Sequence, residues 1–218
     1  MLQKFLFICG ILSSLLYVST DLLGGILLED YDFVSHYISE LSAIGVPSRS
    51  LVIPLYIAYD ILMIAFGLGV LIAANRKHAL HLTGGLLIGF AGVGFVGLFF
   101  PMHPRGVEAT FTDTIHQIIA GVTVLFILLA IGSGTIESGA TAYGKKFRLY
   151  SAGTLLILLM LGVLPFLEAA QIVTGQSTPW VGLIERIIAY IYLLWVIMLA
   201  IILLRIQETS KLNEKCEA

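Results

Sequence analysis

The sequence predicts an all-α membrane protein, a six-transmembrane-helix bundle with a short amphipathic interfacial helix between the first two spans. Three observations predict it. Of 218 residues, 58% are hydrophobic and only 12% charged, about half the ~25% charged share of a soluble domain, and mean hydropathy is +0.98. The apolar residues gather into six runs, at 5–28, 51–74, 79–100, 112–135, 149–173 and 181–205, each near the ~20 residues that a span requires. Lys and Arg are divided unequally between the segments that join them. Residues 1–218 read as a single integral membrane domain.

The first run is too long for a signal-peptide core and lacks a small-residue cleavage site, so it is expected to remain as a span. The longest connection, 29–50, has helical spacing at its centre. Asp32, Ser35, His36, Ser39 and Glu40 share one face; Tyr31, Val34, Ile38 and Leu41 share the other. Gly45 and Pro47 then stop the pattern. A helix over 32–43, lying along the membrane surface as a roof, is the expectation. The third run is rich in glycine, and Gly85 with Gly89 makes a small-xxx-small step suited to close helix approach. A tightly packed central helix is the plainer reading and a glycine-lined pore the other. Pro101-Met-His-Pro-Arg-Gly106 turns the chain into the fourth run, and Gly139 and Gly144 lie in the link to the fifth. Trp180 stands at the start of the sixth, where an interfacial aromatic belongs.

Lys4, Arg76, Lys77, Lys145, Lys146, Arg148, Arg205, Lys211 and Lys215 fall in the N-terminus, the second and fourth connections and the C-terminal tail. An even number of spans puts these segments on one side. Only Arg49, Arg105 and Arg186 fall on the other. The positive side is the cytoplasm, so both termini are expected there. The net charge of −2 gives no reason to invoke nucleic acid. Cys9 and Cys216 occupy unlike settings, and no disulfide is expected.

The ionisable residues of the spans gather at the outer side. Asp21 lies about 10 Å and Asp60 about 13 Å below the outer boundary at ~1.5 Å per residue. His116, Glu168, Glu185 and Arg186 are shallower, and Asp113 and His103 sit at the boundary. Charge is costly in hydrocarbon, so each is a functional candidate. Convergence at one depth suggests one cavity, with Asp21, Glu40, Asp60, Glu168, Glu185 and Arg186 as binding candidates. Arg186 and Glu185 are adjacent and point roughly 100° apart, so Arg186 is expected to pair across helices, with Glu168 first and Asp21 second. It serves either as a structural clamp or as a grip on an anionic headgroup.

Asp113 and His116 are spaced i, i+3. That suits a carboxylate orienting an imidazole, or metal ligation; the alternative is an acidic first-turn residue favoured by the helix dipole and a lone satisfied histidine. His103, Asp113 and His116 could supply three zinc ligands, with Asp21 or Glu168 as a fourth. Haem is not expected: only His103 and His116 lie at matching depth, and one of them is in a loop. His36 and Ser39, also i, i+3, could form a nucleophile pair. A solvated face is the alternative for that stripe.

The segment Ser35-His-Tyr-Ile-Ser-Glu-Leu-Ser-Ala-Ile-Gly45 followed by Pro47, the pair Phe100-Pro101 with His116 beyond it, and Gly182-Leu-Ile-Glu-Arg186 with Leu194-Trp195 resemble the motifs of the prokaryotic membrane proteins grouped as DUF998. The resemblance spans essentially the whole chain. It implies six spans in a prokaryotic cytoplasmic membrane and no established activity. In such proteins an acidic residue is expected soon after Phe-Pro; His103 stands nearby instead. Two function classes follow. One is binding or movement of a membrane lipid or small amphiphilic ligand. The other is an intramembrane lipid hydrolase, metal-dependent or not, using His116, His103 and Asp113.

Overall fold

A computed structural model of the protein describes residues 1–74, 78–137, 144–165, 167 and 178–217. Arg76, Lys77, Gly139 and Glu168 lie outside the described residues, as do the side chains of Lys211, Lys215 and Cys216. The described elements are helical: α1 (Leu2–Leu27), α2 (Arg49–Ala74), α3 (His78–Gly97), α4 (Phe111–Glu137), α5 (Gly144–Leu161) and α6 (Val181–Glu217), with a 3-10 helix at Ile38–Ser42. Five of the six, all but α5, are long and apolar enough to cross a membrane. The remainder of the run expected at 149–173 passes largely into residues outside the description. α6 continues well beyond the apolar run that ends near 205, because Gln207-Glu-Thr-Ser-Lys-Leu supplies mostly strong helix formers.

Consecutive helices are neighbours, and α6 closes the ring against α1. Lys4 Nζ donates to Glu208 Oε1 at 2.9 Å, and Gln207 Nε2 to Gln3 Oε1 at 2.8 Å. The start of α1 and the end of α6 therefore share one end of the bundle; the 28–48 segment covers the other. Polar ties also cross the interior. Thr83 and Ser133 hydroxyls meet at 2.9 Å between α3 and α4, and the indole N–H of Trp195 donates to Ser151 Oγ at 2.9 Å between α6 and α5. Burying Trp195 completely is acceptable because that N–H has a partner.

The glycines of α3 act differently from the expected small-xxx-small step. A Cβ at Gly85 would meet nothing within 4 Å, whereas one at Gly84 would lie 2.9 Å from the Gly67 carbonyl oxygen of α2. The close approach is made by Gly67 and Gly84. Gly89 instead receives the Phe126 ring of α4, whose Cε1 would stand 2.3 Å from an added Cβ.

The helix expected over 32–43 is not formed. The chain turns at 33–35, extends at Tyr37 and makes a 3-10 helix only over Ile38–Ser42. Nor is the segment's 3-10 turn a surface element: Ile38, Glu40 and Leu41 are buried, while Asp32 is exposed. The physical reason lies in its carbonyls. Those of Phe33, Ser35 and His36 accept bonds from distant arginines, so helical N–H groups are not their partners.

Alanine at 84 must push α2 and α3 apart. Overpacking of this kind costs about 1–3 kcal/mol, and Gly84→Ala should lower the thermal unfolding midpoint in detergent. Gly85→Ala, entering open space, should leave it unchanged or raise it. Equal responses would show that the Gly67–Gly84 contact is not close.

Candidate functional site

The site is built from three layers: a buried ion pair, the loop that it holds, and a cavity beneath that loop. Asp21 in α1 is fully buried. Its carboxylate accepts Arg186 Nη2 at 2.8 Å on Oδ1 and Nε at 3.0 Å on Oδ2, the two-point geometry that guanidinium and carboxylate planes favour. The hydroxyl of Tyr190, one turn on from Arg186, donates to the same Oδ2 at 2.5 Å. Arg186 Nη1 faces three carbonyl oxygens, those of Phe33 at 2.7 Å, His36 at 3.0 Å and Gly182 at 3.1 Å. Nη2 also donates to Tyr31 Oη at 2.5 Å, and that hydroxyl donates to the Tyr37 carbonyl at 2.8 Å. Burial pushes the Tyr31 phenol above its ordinary pKa despite the guanidinium beside it, so it keeps the proton it donates. The rings of Phe33 and Tyr31 flank the guanidinium carbon at 4.9 and 5.4 Å. All five N–H groups of Arg186 are thus directed at partners within the protein. It clamps the loop, and Asp21 is its carboxylate; Glu168, expected first, lies outside the described residues.

A second arginine repeats the device. Arg105, from the 101–110 turn, places Nε and Nη2 on the two oxygens of Glu40, each at 2.7 Å. Its Nη2 also reaches the Ser35 carbonyl at 2.6 Å and its Nη1 the Thr178 hydroxyl at 2.8 Å. Glu40 Oε1 in turn accepts the Tyr37 N–H at 2.8 Å. Glu40 therefore faces Arg105 and does not line the cavity. Gly182 must be glycine here, since a Cβ would fall 2.2 Å from the His36 carbonyl oxygen. Gly25 likewise leaves room for the Phe33 ring, whose Cζ would stand 2.3 Å from a Cβ.

His36 and Ser39 are not hydrogen-bonded to one another. The Asp32 N–H donates to His36 Nδ1 at 3.0 Å, the His36 ring stacks on Tyr31, and the Ser39 hydroxyl faces Met102 Sδ at 3.2 Å. Asp32 is exposed; the Ser35 hydroxyl and the Val34 N–H hold its carboxyl below the usual carboxylate range.

Asp113 and His116 go separate ways. Asp113 accepts the His103 N–H at 2.7 Å, the His103 ring at 2.8 Å, and both the N–H and the hydroxyl of Thr110 at 2.8 Å. It fastens the 101–110 turn to the first turn of α4. His116 Nδ1 donates to the Phe100 carbonyl at 2.9 Å, which leaves Nε2 as an acceptor. Among the described residues no three His, Cys, Asp or Glu side chains are placed to hold one metal ion. His103, Asp113 and His116 are thus not arranged as a zinc triad.

Under the roof lies a cavity of about 280 Å³, lined mostly by apolar and aromatic side chains of α1, α2, α3, α4 and α6. Its polar lining includes Ser39 and Ser42 of the 3-10 helix, Arg49 and Asp60 of α2, His116 and Glu185. Glu185 Oε2 accepts the Ile38 N–H at 2.5 Å. Arg49 donates to the Ser42 carbonyl and has no carboxylate within ion-pair distance among the described residues. Arg49, Tyr56 and the roof-holding Arg105, Thr178 and Gly182 were not among the site candidates read from the sequence. For the first two the signal exists: Arg49, Ile53, Tyr56 and Asp60 follow at spacings of four, three and four, one helical face.

Removing either member of the Asp21–Arg186 pair should cost about 3–5 kcal/mol. Arg186→Ala and Asp21→Ala should each lower thermal stability, and the double variant should recover part of the loss. Additive losses in that cycle would mean that they are not coupled.

The family model for DUF998, protein of unknown function, matches residues 11–202. Comparison with curated proteins and with solved structures gives no match. With 192 of 218 residues inside the match (202 − 11 + 1), including the clamp, the roof and the cavity, the chain belongs to the DUF998 family.

Proposed function

We propose that this protein binds, and in doing so takes up or passes on, a single-chain lipid or small amphiphile. The observation that carries the reading is the roofed cavity: apolar and aromatic walls, a few polar groups along one side, and a volume of about 280 Å³. Small-molecule sites have this make-up, and this volume is close to the low end of their ~300–1,000 Å³ range. The space suits a headgroup with part of one chain better than a two-chain lipid. Arg186 is already committed to the roof, so ligand recognition in this reading falls to the groups that line the cavity.

The protein is placed in the prokaryotic cytoplasmic membrane with six spans, α5 being the core of the fifth, and with both termini in the cytoplasm. The roof then faces outward. Support comes from the Lys/Arg asymmetry and from the chain ends sharing one end of the bundle.

Lipid analysis of the protein purified in mild detergent should find a single-chain amphiphile near stoichiometric amount. Ala120→Trp, placed in the cavity wall, should reduce it severalfold without lowering the unfolding temperature by much. Retention of the same ligand by that variant would remove the cavity from consideration. For topology, Cys9 and Cys216 are first replaced by serine. Ala109→Cys, at an exposed position of the 101–110 turn, should then react with an impermeant thiol reagent in whole cells; Ser210→Cys should react only after lysis. The reverse pattern would invert the orientation.

A further inference from the structure

We infer that the cavity is built for a cationic head, the ammonium of a single-chain amphiphile, with Asp60 as its counter-ion. The inference rests on the binding reading above and adds the ligand's charge.

Asp60 is 3% exposed, and its side chain lines the cavity. Among the described residues nothing donates a hydrogen bond to it and no cation lies within ion-pair distance. The other acids of the clamp, the 3-10 helix and the cavity lining have donors: Asp21 has Arg186 and Tyr190, Glu40 has Arg105, and Glu185 has the Ile38 N–H. One turn earlier on the same helix face, the Tyr56 hydroxyl is also buried without a partner among the described residues. The Tyr192 hydroxyl is likewise buried without a partner among the described residues but does not line the cavity. Asp60 and Tyr56 do line it, and a buried carboxylate and a buried phenol left open to one cavity point to a donor supplied from outside. Glycine keeps the position clear. A Cβ at Gly94 of α3 would stand 2.9 Å from Asp60 Oδ1, so a larger residue there would press on the carboxylate.

The surroundings select the kind of cation. Tyr17, Tyr56, Tyr59 and Phe90 line the same cavity. Tyr17 lies 5.0 Å from Tyr59 and 5.6 Å from Tyr56 between ring centroids, and Tyr59 lies 6.3 Å from Phe90. Aromatic faces attract ammonium groups, above all alkylated ones. A hard divalent ion takes about six to eight oxygens, and these walls are mostly carbon. The other charged or titratable groups of the lining are Glu185, His116 and Arg49. Arg49 is eleven residues from Asp60 on α2, about 16 Å along the axis. It sits at the roof end and leaves the Asp60 end to the incoming positive charge.

The test compares two probes of equal chain length, radiolabelled dodecylammonium and dodecanol, bound to the full protein in nanodiscs with empty nanodiscs subtracted. The wild type should prefer the ammonium by about tenfold or more, the weight of one charge-assisted contact. Asp60→Asn should abolish that preference and keep the alcohol. Equal binding of both probes by the wild type, or a preference that survives in Asp60→Asn, would overturn the inference and leave the cavity reading standing. Failure of both probes to bind the wild type would overturn the two together. Should Asp60→Asn lose both probes, Tyr56→Leu decides: it must weaken the ammonium more than the alcohol, and parallel losses overturn the inference. Competition with a lysolipid bearing an ethanolamine head assigns the source. Displacement makes the ligand a membrane lipid, and its absence makes it a free cationic amphiphile; either keeps the ammonium assignment.

Discussion

A guanidinium buried among apolar helices has to be matched on every side, and the way Arg186 is matched determines the covered end of this bundle. One side is met by Asp21 across the ring. The rest is met by the backbone of the 28–48 segment. The charge that α1 neutralises is thus also the fastener of the loop. α1, α6 and the roof cannot be placed independently: moving any one of them exposes either a carboxylate or an arginine in a low-dielectric interior. Arg105 and Glu40 make a second, more accessible fastening of the same loop, and Asp113 ties down the turn from which Arg105 reaches.

This division of labour explains why Arg186 and Arg105 lend the cavity no charge. Both are occupied in holding structure. The face of α2 that carries Arg49, Ile53, Tyr56 and Asp60 is less committed, running from the roof toward the middle of the bundle. Glu185 stands between the two systems, since one carboxylate both receives the Ile38 N–H and borders the cavity. A ligand that competed for Glu185 would therefore loosen the roof, whereas one that chose Asp60 would leave it intact.

Much of the fold was legible because the span signal is local. Apolar runs of about 20 residues and the breaks between them lie in the sequence itself, and the starts of α1, α2, α4 and α6 fall within three residues of the expected positions. The roof was not legible. Its polar stripe has helical spacing, but its conformation is decided by Arg105 and Arg186, 70 and 153 residues away in the hydrogen bonds to Ser35 and Phe33. A common placement toward the outer side put Asp21 among the expected partners of Arg186, second to Glu168, yet depth is one coordinate. It could not show that Asp113 turns to His103 while His116 turns to Phe100. Nor could it separate acids with donors from Asp60, which has none among the described residues.

The anchors of the roof have a consequence for how this loop can change. Arg186, Arg105, Thr178 and the Leu183 N–H all take hold of carbonyls, at Phe33, Val34, Ser35 and His36. A carbonyl is the same whatever side chain its residue bears. Apart from Phe33, whose ring fills the space beside Gly25, these positions can exchange residues without altering what is held. Removing one residue would instead shift every carbonyl out of register with its donor at once. The 34–36 stretch is locked by its length and only weakly by its spelling, so it can diversify by substitution far more readily than by insertion or deletion.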